Sequence, residues 1–172
     1  MRLGPTARRV LLIVHISVSV GWMGAAAAYA VLNVPALTGA DEQTRRAAYL
    51  MMPIVADHLL VPLAVATVVT GVALALGTRW GLLQHYWVVV SLGVTLFAAA
   101  VLVLHLPAVD DLAAVAADPD KDVSALGGDL FHSIGGLVVL TVPLVLNVVK
   151  PRGLTRRGWR VQRDRRGSSE TT

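Results

Sequence analysis

The sequence contains four long apolar stretches, and their length restricts the fold more than any other feature. The first covers residues 10–32 and holds no acidic residue, lysine or arginine. A helix rises about 1.5 Å per residue, so about 20 apolar residues cross roughly 30 Å of bilayer hydrocarbon. Helices satisfy their own backbone hydrogen bonds inside lipid, and we therefore predict an all-α integral membrane protein with an antiparallel four-helix bundle. The other predicted spans cover residues 54–76, 86–106 and 131–149.

The composition supports this class of protein. Hydrophobic residues make up 55% of the chain and charged residues 15%, a balance that argues against a disordered chain or a soluble globule. Cysteine is absent, which excludes disulfides, thiolate metal ligands and a cysteine nucleophile. We predict a membrane domain over residues 1–149, followed by a basic tail, residues 150–172, that lacks regular structure.

The positions of the cationic residues predict the orientation. The N-terminal segment, the turn with Arg79 and the tail together carry twelve of the 15 lysines and arginines. The remaining three, Arg45, Arg46 and Lys121, lie in the two loops on the opposite side. Cytoplasmic loops are rich in lysine and arginine, so both termini are expected in the cytoplasm of a multi-pass plasma-membrane protein.

A cleaved signal peptide is the alternative interpretation of the first span. Arg8 and Arg9 would form its charged start, and Ala28-Tyr29-Ala30 would form its cleavage site. The apolar stretch is longer than a usual signal core and contains His15. These features favour a retained span.

Three histidines are predicted near the outer ends of different spans. Ionisable groups within spans are costly and are therefore candidates for function. Imidazole nitrogens and carboxylate oxygens suit Zn²⁺, Cu²⁺ or a similar ion, and an open position can remain for water. The alternative is that these histidines are interfacial or hydrogen-bond to neighbouring helices. The outer set comprises His58, His105, His132, Asp57 and Asp129.

Two further histidines are predicted near the inner face of the membrane. His15 lies roughly 8 Å inside the inner boundary, at about 1.5 Å per residue, and His85 lies at the inner mouth of the third span. Asn147 is a candidate polar neighbour. Two imidazoles on facing helices could ligate a haem iron axially. The two levels are separated by roughly 15 Å, so one ion could not bridge them.

The tail and the outer loop suggest a different kind of activity. Basic residues next to a span attract anionic lipid headgroups, on the order of 1 kcal/mol per residue. The same charges serve as the orientation signal, so a nucleic-acid partner has no support. The predicted lipid-binding residues are Lys150, Arg152, Arg156, Arg157 and Arg160.

Two resemblances extend this interpretation. The motifs VHISVSVGWMGAAAAY and TG…LGTRWGL.QHYWV make most of the chain resemble a family of small four-span integral membrane proteins of unknown function from high-GC Gram-positive bacteria. That resemblance implies four spans and no assigned activity. His15, Trp22 and Gly24 also resemble the His…Trp-x-Gly pattern of the copper-resistance D and membrane protoporphyrinogen-oxidase-like bundles. This second resemblance implies a haem ligand at His15, although the rest of the oxidase pattern is missing.

The leading functional hypothesis is a membrane protein that binds haem or a transition metal through its histidines, for electron transfer, metal handling or sensing. The second is a non-catalytic protein that acts through partners or anionic lipids. The third is a small oligomeric transporter, although no repeat or broken-helix pair supports it. An enzyme has the least support, because no nucleophile is paired with a base and no catalytic residue is predicted. The separation of His58, His105 and His132 decides whether an outer site exists.

Overall fold

The computed structural model describes residues 3–38, 41–78, 81–124, 126–151 and 153–169. The described chain is largely helical, and its only extended pairing is a bridge between His85 and Leu154. A five-residue π-helical segment, Ala56–Leu60, joins the second helix to the third without a break. The helices are α1 (Pro5–Leu37), α2 (Glu42–Val55), α3 (Val61–Gly77), α4 (Tyr86–Ala117), α5 (Leu130–Val149) and α6 (Arg156–Ser169).

Four helical segments are long and apolar enough to cross a membrane, which confirms the prediction of an all-helical chain with four apolar helices. Large apolar side chains such as Ile13, Val65 and Leu104 are exposed on their outer surfaces. A helix that is apolar all round is typical of a membrane span. The chain therefore has the architecture of a multi-pass membrane protein. The segments are Pro5–Pro35, Glu42–Gly77, Tyr86–Ala117 and Leu130–Val149.

Three of these segments extend beyond the predicted spans. Helix α1 has 33 residues, or about 50 Å at 1.5 Å per residue, against roughly 30 Å of hydrocarbon. The stretches between the predicted spans, including residues 33–48 and 109–130, are accordingly helical in part. Hydropathy predicts only the part of a helix that lies in lipid. The helix can extend beyond that part where its polar turns pack against other segments. Tyr49 and Met52 on α2 are fully buried and supply that packing.

Arg46 on α2 fixes the loop that follows α4. Its guanidinium donates hydrogen bonds to the carbonyls of Ala116 (3.1 Å), Asp118 (2.7 Å) and Lys121 (2.6 Å). Glu42, one turn earlier, accepts from the same guanidinium at 2.7 and 2.9 Å. The last carbonyls of a helix lack hydrogen-bond partners within the helix. A cation near them also interacts favourably with the negative end of the helix dipole. Arg46 therefore holds the end of α4 and the first part of the following loop, as far as Lys121, against α2.

The main core lies between α1, α2, the π-helical segment, α4 and α5. Its fully buried members include Tyr49, Met52 and Val123, and small residues such as Ala25 and Ala56 lie among them. Small side chains allow helix backbones to approach closely where lipid gives no hydrophobic drive. Ala25 and Ala56 thus help to pack the bundle.

The tail, which is predicted to lack regular structure, contains the helix α6. The segment before α6 pairs with the turn between α3 and α4, because Thr155 N–H donates to Gln84 (3.0 Å) and Tyr86 N–H donates to Gly153 (3.3 Å). Composition predicts that this tail has no core of its own, but it does not reveal backbone pairing with a distant turn. Arg79 and Trp80 of that turn, and Arg152 of the predicted lipid-binding set, lie outside the described residues.

Candidate functional site

Asp129, at the N-terminal boundary of α5, is the centre of the most polar buried cluster. Its side chain is 3% exposed. Oδ1 accepts a hydrogen bond from His105 Nε2 at 2.7 Å and lies 3.0 Å from His132 Nδ1. Oδ2 accepts from the Tyr29 hydroxyl at 2.9 Å. A buried carboxylate is costly unless it is paired, and these three donors supply the pairing.

Helix geometry places both histidines beside this carboxylate. His132 follows Asp129 by three residues, and residues at that spacing share a helix face. His105 comes from α4, and its ring stacks on His132 with the ring centroids 3.7 Å apart and an interplanar angle of 23°. The stacked pair therefore presents two imidazoles to one carboxylate oxygen.

Asn33 on α1 makes hydrogen bonds that hold the backbone at Asp129 in place. It is fully buried, and its Oδ1 accepts from the Asp129 N–H at 2.6 Å. Its Nδ2 donates to Ser133 Oγ at 3.0 Å, and that hydroxyl donates to the Asp129 carbonyl at 2.6 Å. Tyr29 and Asn33 are four residues apart, as are Asp129 and Ser133, so each pair lies on one face of its segment. Helix α1 thus orients both the carboxylate and the start of α5.

The structure brings together three of the five residues predicted for the outer site. The ligand atoms of His105, Asp129 and His132 all lie within 4.8 Å of one another. Asp57 and His58 lie outside this group, on the exposed side of the π-helical segment. His58 Nδ1 instead lies 3.1 Å from the carbonyl of Ile54. The π-helical turn buries Ala56 and Leu60 and leaves the two polar residues on the opposite side.

The two inner histidines have separate surroundings. His15 Nδ1 lies 2.9 Å from Thr70 Oγ1, and its ring packs against Gly71. His85 precedes the first turn of α4 and pairs with Leu154. Asn147, the predicted polar neighbour, is exposed on α5. His15 thus contacts α3, and the backbone of His85 pairs with the segment before α6.

Sequence reasoning missed Tyr29, Asn33 and Ser133. Asn33 lies just beyond the predicted first span, because the apolar stretch ends at residue 32. The sequence does contain a signal for two of them, because Tyr29 and Asn33 are hydrogen-bonding residues four positions apart at the end of a span. That spacing places two hydrogen-bonding groups on one helix face.

A cavity of about 390 Å³ adjoins the cluster. Its walls are almost entirely apolar, and the residues around Asp129 supply its polar part. It follows α5 from Asp129 to Leu140, roughly 15 Å at 1.5 Å per residue. The π-helical segment contributes two of the lining residues, and π-turns inside helices are frequent at functional sites. The other apolar lining residues include Trp22, Ala26, Phe97, Leu102 and Val139.

The donor set matches the chemistry of divalent transition ions. Two imidazoles and one carboxylate, with an open position, are ligands typical of zinc and non-haem iron sites. Tyr29 would then orient the carboxylate ligand, as outer hydrogen-bonding partners do in metal sites. Without an ion the same groups form a hydrogen-bonded cluster that pins α5 to α1 and α4.

The fold and the cluster together define a class: a multi-pass helical membrane protein with a carboxylate–diimidazole site beside an apolar cavity. Comparison with protein-family models, curated proteins and solved structures gives no match for this chain.

Proposed function

We propose that this protein binds a divalent first-row transition ion through His105, Asp129 and His132. The observation that carries the proposal is the convergence of these three ligand atoms within 4.8 Å. We also propose that the four spans run antiparallel in the plasma membrane with both termini in the cytoplasm, as the cationic residues favour. With this orientation, the ion site lies near the outer surface of the membrane. The role that we propose for the protein is metal handling or sensing.

The geometry requires little rearrangement for an ion to bind. With bond lengths of about 2.1 Å, a tetrahedral ion holds its ligand atoms about 3.4 Å apart. The two histidine nitrogens now lie 2.7 and 3.0 Å from Asp129 Oδ1. Each nitrogen–oxygen distance therefore needs to lengthen by less than about 1 Å, and a neutral ring must carry its proton on the nitrogen that does not hold the ion. A fourth position stays open for water or another ligand.

Zinc binding to the purified full-length protein tests the proposal. We expect one Zn²⁺ per chain in a competition titration, and Co²⁺ should give the visible absorption of a tetrahedral site. His105→Gln and His132→Gln should each weaken zinc binding by about 10-fold or more, because each removes one of three protein ligands. His58→Gln is the matched control and should leave the affinity unchanged.

If one zinc ion binds per chain and neither His105→Gln nor His132→Gln weakens that binding, the ion lies elsewhere and the proposed site is wrong. Absence of zinc and cobalt binding would also overturn the proposal. A Soret band in the absorption spectrum would instead support haem ligation by His15 and His85.

The proposed orientation has a direct test, since the chain contains no cysteine. Single cysteines at Ser124 in the outer loop and at Thr172 can be labelled in intact cells with a membrane-impermeant maleimide. Ser124→Cys should react in intact cells, and Thr172→Cys only after permeabilisation. The reverse pattern would invert the topology.

A second candidate function is binding of anionic lipid by the tail. Arg156, Arg157 and Arg160 are exposed on α6, and Trp159 beside them is 61% exposed. Tryptophan prefers the membrane interface, and the arginines attract anionic headgroups. Replacement of the three arginines by glutamine should reduce the anionic lipid retained in native mass spectrometry. The control replaces Arg8 and Arg9, at the opposite end of the chain, by glutamine and removes two positive charges against three.

A further inference from the structure

We infer that the cavity between α1, α4 and α5 binds a lipid-soluble alcohol or phenol that enters from the bilayer. The inference deepens the proposed function, since the hydroxyl group would meet the same cluster. Occupation of the cavity does not itself require the ion, so the two ideas can fail separately.

The cavity opens on the surface that lipid tails would cover. Phe97 on α4 and Phe131 on α5 both line it, yet they are 61% and 85% exposed. Both residues belong to segments long and apolar enough to cross a membrane. A molecule dissolved in the bilayer could therefore pass between α4 and α5 without crossing water.

The interior has room for an apolar body. Gly135 and Gly136 line the cavity, and a Cβ added to either residue would meet no atom within 4 Å. The volume of about 390 Å³ is within the range of roughly 300–1,000 Å³ that small-molecule sites occupy. The size suits a single ring with a short chain.

The polar end selects a hydroxyl head group. His105 Nε2 and His132 Nδ1 face Asp129, so in the neutral rings the other nitrogens are acceptors. Both histidines line the cavity, so in the ion-free protein a hydroxyl can donate to such a nitrogen. In the ion-bound protein the hydroxyl oxygen can instead fill the open position of the ion. A carboxylate head would be repelled by Asp129 in the ion-free protein. A hydrocarbon would bury the polar end without a hydrogen bond.

Photolabelling of the full-length protein in nanodiscs tests this inference. The probes are a diazirine-bearing alkylphenol and its methyl ether, which share an apolar body and differ in the donor. We expect the phenol to label cavity residues about tenfold more than the ether, the equivalent of one hydrogen bond. Mass spectrometry of the labelled peptides locates the site.

Two glycine variants separate the cavity from the general lipid surface. Gly136→Leu fills the cavity and should reduce phenol labelling about tenfold. Gly93→Leu is matched, because Gly93 also has open space around its Cα but does not line the cavity. Its labelling should be unchanged. Gly136→Val is a smaller version for use if the leucine variant does not fold.

Equal labelling by phenol and ether would overturn the hydroxyl selection. Unchanged labelling in folded Gly136→Leu or Gly136→Val protein would show that the probes mark only the lipid-facing surface, and would overturn the cavity site. Zinc titration of the same samples tests the metal proposal separately. Phenol selectivity without zinc binding would support the cavity site and overturn the proposed metal binding. Zinc binding without phenol selectivity would support metal binding and overturn the hydroxyl selection.

Discussion

The hydroxyl of Tyr29 donates a hydrogen bond of 2.9 Å to Oδ2 of Asp129, across 100 residues of sequence. Asn33 and Ser133, each four residues further along, make a second buried contact at 3.0 Å. The first span is thereby tied to the start of the fourth at two successive positions. Tyr29 meets Oδ2 of Asp129, whereas the two histidines meet Oδ1.

Loss of the Tyr29 hydroxyl should destabilise the bundle without removing packing. We expect Tyr29→Phe to lower the free energy of unfolding by on the order of 1 kcal/mol, the size of a buried hydrogen bond between spans. Unfolding in mixed micelles of increasing sodium dodecyl sulfate content measures this change. Tyr86→Phe is the control, since Tyr86 is 56% exposed and its variant should unfold like the parent protein. Equal stability of the Tyr29→Phe protein would show that Asp129 does not depend on this donor.

Asn33 should matter more than Tyr29, because it satisfies several buried groups at once. Asn33→Ala leaves the Asp129 N–H without its acceptor and the Ser133 hydroxyl without its donor. A buried group left unsatisfied costs about 1–3 kcal/mol, so we expect a loss at the upper end of that range. The same micelle titration applies. Asn147→Ala, the identical change on an exposed asparagine of α5, should alter stability by less than about 0.5 kcal/mol. Similar losses in the two variants would contradict the role of the buried amide.

Gly158 should be essential for docking of α6. A Cβ at this position would collide with the carbonyl oxygen of Gln84, and backbone cannot move aside as a flexible side chain can. We expect Gly158→Ala to release α6 from the turn and to speed trypsin cleavage after the tail arginines, because a protease cuts an undocked segment faster than a docked helix. At Gly153 an added Cβ would meet Tyr86 at 3.6 Å, an ordinary contact. Gly153→Ala is thus the matched control. Equally faster cleavage in both variants would argue against a collision with the Gln84 carbonyl as the cause.

The outer loop gives a prediction about pH. The Ser124 hydroxyl and then its backbone N–H donate to Asp122 and lower the pKa of that carboxyl. The lowered value means that this turn is favoured at neutral pH and is lost as the pH falls through the lowered pKa. Ser124→Ala should raise the pKa of Asp122 toward its ordinary value, as a ¹³C carboxyl titration would show. Asp41, whose pKa is lowered by Thr44, should be unaffected, and Thr44→Val should give the reciprocal result. An unchanged Asp122 titration in Ser124→Ala would rule out the hydroxyl as the cause.

Much of the candidate site was within reach of sequence reasoning. His105 and His132 were placed at the same level because each lies at the outer end of an apolar stretch, and Asp129 is close in sequence to His132. His58 satisfied the same depth criterion but lies on the exposed side of its segment. Depth depends only on position along a helix, whereas the facing direction depends on rotation about the helix axis. The five-residue π-helical segment alters that rotation locally, and no hydropathy pattern reports it.

The sequence alone determined that this protein is helical and has four segments suited to a bilayer, because that outcome depends on the length and apolar character of continuous stretches. Tertiary structure decided which polar groups meet. Tyr29, Asn33 and Asp129 are joined by hydrogen bonds of 3.2 Å or less, which require exact rotation and register of separate helices. It also decided that the tail docks as a helix, since its pairing is made by backbone groups common to every sequence.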